Sequence, residues 1–128
     1  METQDIRAWA FDLYYLLSLP QERHGEFFPP SVPYRDEIGE EPDLILGFLW
    51  ARVLEADAKN LVTELRECFA LARIFSLVPQ ECDFWSPTPT QWAWLWDEVQ
   101  SIAQSACARH GLQARDIKGR YWGNGEFR

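Results

Sequence analysis

The side chains with the widest chemical repertoire in this chain of 128 residues are two histidines, three cysteines and seven tryptophans, and their spacing narrows what they can do. Neither His24 nor His110 has a cysteine or carboxylate four residues away, the spacing that builds a metal-binding helix face, so no metal or other cofactor is expected. Glu22, His24 and Glu26 fall within five residues and form a weak general-base or metal candidate. Solvation of a short loop is the simpler expectation. Cys68, Cys82 and Cys107 are odd in number and far apart, which excludes a disulfide framework and a paired-thiolate zinc site. Free thiols are expected, with Cys68 and Cys107 serving as small buried hydrophobes and Cys82 in a loop. The glycines form no phosphate-binding loop and the serines no nucleophile elbow, so no residue is assigned a catalytic role.

Charge supplies a stronger signal. Twenty acidic and twelve basic side chains leave a net charge of -8, which disfavours coating a nucleic-acid backbone. The distribution is uneven: residues 1–108 carry -11 and residues 109–128 carry +3. Arg115, Lys118 and Arg120 beside Tyr121 and Trp122 could engage phosphates and stack bases. A basic tail of residues 112–128 clasped to the acidic body is the preferred alternative. Residues 20–43 hold seven acids against Arg23 and Arg35, interleaved with Phe27, Phe28, Val32, Tyr34 and Ile38. Carboxylates flanking aromatic anchors suit a basic protein surface, since charge speeds encounter and buried aromatics slow dissociation. The partner-binding candidates are therefore Tyr34, Asp36, Glu37, Glu40 and Glu41, joined by Trp85 in its own loop and by Trp94.

The elements that must position these residues follow from apolar periodicity. Ile6, Trp9, Ala10, Leu13, Leu16 and Leu17 repeat at three and four residues, which predicts a helix from a Thr3 cap to Pro20. Five prolines then predict a long loop over 20–43 that packs down through its aromatics. Asp43 is the expected cap of a largely buried helix carrying Leu44, Phe48, Ala51 and Leu54, with Ile45, Leu49 and Val53 broadening the stripe. Leu61, Leu65, Cys68, Ala72 and Phe75 continue the pattern to Pro79, either as a separate helix capped by Asp57 or Asn60 or as one kinked helix. A last helix, capped by Thr88 or Thr90 and closed at Gly111, buries Trp92, Leu95, Trp96, Val99, Ile102, Ala103 and Ala106. Trp94 points off that face, and Arg109 and His110 complement the helix dipole. Asn124-Gly125 is a turn signal for a short hairpin between Tyr121 or Trp122 and Phe127.

The expected fold is mainly α: one domain over 1–128, three to four helices around a tryptophan-rich core, a long Pro-rich acidic loop and a candidate C-terminal β-hairpin. No membrane span is expected, and Asp5 and Asp12 stand where a signal peptide would be apolar or basic, so the expected location is cytoplasmic. The expected function is a non-enzymatic inhibitor, immunity or antitoxin-like protein that occludes a basic surface of a partner, such as a toxin or nuclease. The alternatives are an assembly subunit that self-associates through exposed Trp and the basic tail, and an enzyme or small-ligand protein.

Overall fold

A computed structural model describes residues 1–122, and these are mainly helical with no strand among them. The helices are α1 (Thr3–Ser18), α2 (Tyr34–Trp50), α3 (Ala58–Glu64), α4 (Arg66–Leu77), α5 (Ala93–His110) and the short α6 (Lys118–Trp122), with 3-10 segments at Gln21–Phe27 and Asp83–Trp85. No described helix is long and apolar enough to cross a membrane. The predicted face of α1 is wholly buried, from Ile6 to Leu17, and α1 packs chiefly along α5 and across α2. The two run antiparallel: Gln100 and Gln104 donate to the carbonyl of Ser18 at 3.1 and 3.3 Å, while His110 stacks on Phe11 and Tyr14. The glutamine amides thereby satisfy a carbonyl that the end of α1 leaves without a helical partner.

The largest departure from expectation is the segment 20–43. It is not a loop throughout, because α2 begins at Tyr34, directly after Pro33, and contains Pro42 in its interior. Proline is compatible with a helix entrance, and one internal proline removes a single backbone hydrogen bond. Ile38, Pro42, Ile45 and Leu49 are all buried at helical spacing, and that burial offsets the lost bond. Asp43 is consequently an exposed mid-helix residue and not a cap. Fixing the buried stripe this way also rotates Leu44, Phe48 and Ala51 outward, and Leu54 ends in the following turn, 97% exposed. The expectation that these four residues are core is therefore corrected.

Capping differs from expectation as well. Thr3 is the first residue of α1, with no side-chain cap. Neither Thr88 nor Thr90 caps α5, which has no side-chain cap; the Asp83 carboxylate instead braces the turn before it, accepting from the backbone N–H groups of Thr90, Gln91 and Trp92. Those hydrogen bonds hold its carboxyl below the usual range. Trp92, outside α5, is exposed and not core. Gly111 closes α5 with φ 63°, and Leu112 N–H bonds back to the carbonyl of Cys107.

The central stretch is neither one helix nor broken only at Asp57, where α3 begins without a side-chain cap. It breaks again at Leu65. The buried Tyr14 hydroxyl donates to the carbonyl of Glu64 and accepts from the N–H of Cys68, and Arg109 donates to the carbonyls of Thr63 and Glu64. Two helix ends are thus satisfied by side chains of α1 and α5. Tyr121 and Trp122 lie in α6; the remainder of the expected hairpin, with Asn124-Gly125 and Phe127, lies outside the described residues.

Candidate partner-binding face

On a helix, residues 36, 40, 43 and 47 share one face. In α2 that face points away from the core, so Asp36, Glu40, Asp43 and Gly47 are all exposed. The carboxylates of Asp36, Glu40 and Asp43 form no ion pair among the described residues. Beside them, the Trp85 indole lies over Gly39. A β-carbon at position 39 would sit 2.6 and 2.8 Å from that ring, so glycine is required for the indole to lie there. Phe84 meets the indole edge-on at 4.9 Å, Phe75 packs at 5.8 Å, and the indole N–H reaches the carbonyl of Val78 at 3.4 Å.

Trp85 is a shared wall of two depressions. One, of about 390 Å³, is mainly apolar, lined by Tyr34, Pro29, Pro33 and Pro87 with Arg35 and Asp36 at its wall. The other, of about 250 Å³, is lined by Asp36, Glu40 and Gln80 and shares Glu40 and Gln80 with a groove of about 600 Å³. That groove reaches Asp43 and Leu44, where a shallow apolar surface over Gly47, Phe48 and Ala51 begins.

The structure brings together Tyr34, Asp36, Glu40 and Trp85. It places Glu37 half-buried on the flank of α2. Glu41 is 0% exposed and accepts a 2.7 Å hydrogen bond from the Trp9 indole, which removes it from the surface. Trp94 is exposed, but it sits at the start of α5 with its ring 5.5 Å from Trp92 and lines none of these depressions. Leu44 and Phe48 were expected in the core, and neither Asp43 nor Gly47 was among the partner-binding candidates. The Ile38, Ile45 and Leu49 spacing carried that signal, but it is readable only if the helix is started at Pro33.

Beneath the face, Arg35 is buried with no ion pair among the described residues, the charge of Glu22 reaching it only from outside contact range. Its guanidinium lies 4.3 Å from the Trp96 ring centroid, donates to His24 Nδ1 at 3.2 Å and to Gln21 Oε1 at 2.7 Å, and lowers its own pKa through burial. Burial, then the neighbouring Arg35 charge, pushes His24 down to about 3, so its ring is neutral and its Nε2–H faces the carbonyl of Leu19. Trp96 continues the stack onto Phe84 at 4.2 Å with parallel planes. His24 is thus a packing element and lies apart from Glu22 and Glu26, which are exposed. Cys68 is buried with its thiol pushed up to about 12 by burial, and Cys107 is half-buried and also raised.

The described part of the basic tail, residues 112–122, folds back on the body. Arg115 and Arg120 both pair with Asp12 of α1, at 3.0 and 2.7 Å, while Lys118 is exposed. No group of three or more potential metal ligands occurs among the described residues. Compared with protein-family models, curated proteins and solved structures, the chain matches none of them.

Proposed function

We propose that this protein is a non-enzymatic, acidic protein-binding module whose α2 face occludes a basic surface of a partner, in the manner of an inhibitor, immunity protein or antitoxin. One observation carries the reading. Asp36, Glu40 and Asp43 stand in line on an exposed helix face without an ion pair among the described residues, beside the Tyr34 and Trp85 aromatics. Unpaired surface carboxylates raise the encounter rate with a cationic surface, and a neighbouring aromatic wall slows release. The free thiols of Cys68, Cys82 and Cys107 accord with a reducing, cytoplasmic setting. The test is affinity capture from native lysate with and without nuclease treatment. One stoichiometric basic protein, lost with Asp36→Lys plus Glu40→Lys while helicity is unchanged, supports the proposal; capture that survives both substitutions overturns it.

The adjacent exposed rings of Trp92 and Trp94 favour a second reading, self-association as an assembly subunit. The tail supports it less, since Arg115 and Arg120 are paired within the chain. Light scattering across a concentration series separates the two, because a strict monomer excludes the assembly role.

A further inference from the structure

The acidic row does not end where the charges end. Leu44, Gly47, Phe48 and Ala51 continue the outer side of α2 as an apolar surface, with Leu44 42% and Phe48 37% exposed. Asp43 and Leu44 line both the acidic groove and this apolar surface, so the two are one strip. From Asp36 to Ala51 it spans about 22 Å at the helical rise of about 1.5 Å per residue. It is acidic in its first half and apolar in its second.

We infer that the partner segment recognised by this face is a cationic amphipathic helix of another protein, laid along α2 with its Lys or Arg residues over Asp36, Glu40 and Asp43 and its apolar side over Leu44, Gly47, Phe48 and Ala51. The inference rests on the acidic-face reading above and specifies its partner. Charge complementarity selects the basic end. Shape selects a helix: nothing lies within 4 Å of the position a Gly47 side chain would take, and Gly47 with Ala51 forms a low seam beside the Leu44 and Phe48 side chains, which suits a helix axis packed about 8–10 Å away. The same polarity excludes a second copy of this chain. A two-fold antiparallel pair would bury each acidic half against the other copy's apolar half, desolvating carboxylates without cations, and a parallel pair would set acids against acids.

The probe is a labelled synthetic peptide of about 16 residues, with Lys in its first two turns and Leu along one face of its last two, beside a scrambled peptide of the same composition. Fluorescence anisotropy and circular dichroism are read against the wild type, Asp36→Lys plus Glu40→Lys, and Gly47→Gln. Gly47→Gln meets open space and replaces a poor helix former, so a binding loss there does not arise from misfolding. The expected result is roughly micromolar binding of the patterned peptide with a gain in helical signal, weakened about tenfold by Gly47→Gln and abolished by the charge reversal. Equal binding of both peptides, indifferent to Gly47→Gln but lost on charge reversal, overturns the helical partner and leaves the acidic face standing. Binding of neither peptide overturns the inference, as does a concentration-dependent dimer that Gly47→Gln dissolves, which would assign the strip to a second copy.

Discussion

The flank formed by α1, α5 and the tail differs from α2 in how it treats charge. On that flank arginines meet carboxylates within the chain: Arg7 with Glu64, Arg109 with Glu67, and Arg115 and Arg120 with Asp12. On α2 the inner arginine, Arg35, rests on Trp96, His24 and Gln21, while the outer acids Asp36, Glu40 and Asp43 face solvent. The first arrangement closes the fold on itself. The second leaves carboxylates on one helix face with no ion pair among the described residues, so their field extends into solvent.

The comparison is broken most severely from beneath α2, at Trp96 of α5. Trp96→Ala removes the platform shared by Arg35 and Phe84, leaving a cavity and a buried cation with one aromatic contact fewer. A loss of about 3–5 kcal/mol is expected in urea unfolding followed by circular dichroism, and Trp96→Phe, which keeps a ring, should recover part of it. A loss under about 1 kcal/mol would mean that Arg35 does not depend on this stack.

A smaller effect comes from pH. His24 titrates near 3 in the fold against about 6.5 in an unfolded chain, so between these values the unfolded state binds the proton and the native state does not. Stability is therefore full above about pH 6.5 and falls as pH falls, by about 2 kcal/mol near pH 5 relative to neutral. His24→Gln should reduce this slope over pH 5–6.5, above the range where ordinary carboxylates titrate, leaving the contribution of His110, whose pKa burial also lowers. An unchanged slope would place the proton uptake elsewhere.

Legibility in the sequence divides along the same line. The faces of α1 and of the Leu61 to Phe75 run were readable because their apolar spacing is unbroken, and Gly111 and Pro79 end their helices by backbone chemistry. The candidate face was half readable. Tyr34, Asp36, Glu40 and Trp85 could be chosen from charge and aromatic content, but five prolines masked the helix that aligns them. Reading Pro42 as a breaker moved the start of α2 to Asp43 and assigned Leu44 and Phe48 to the core. Glu41 shows the limit of composition: it is one residue from the exposed Glu40, yet only the helix phase reveals that it turns inward to Trp9. The Asp83 brace on the turn before α5 and the Asp12 clasp join residues distant in sequence, and local sequence carries no trace of either.

The smallest expected effect is the sharpest, because it changes sign between the two regions. Asp12→Asn deprives Arg115 and Arg120 of their shared carboxylate. These pairs are partly exposed and screened by solvent, so the cost should be about 1 kcal/mol, shrinking as salt is added. Glu40→Gln and Asp43→Asn each remove a like-charge neighbour three or four residues away on α2 and break no ion pair among the described residues. They should be neutral or raise stability by about 0.2–0.5 kcal/mol, most visibly at low salt. Urea midpoints of the three variants at two ionic strengths decide the matter. If Asp12→Asn also proves neutral, the tail clasp contributes nothing and the two regions do not differ energetically; if Glu40→Gln destabilises, its carboxylate is serving the fold and is not held in reserve for a partner.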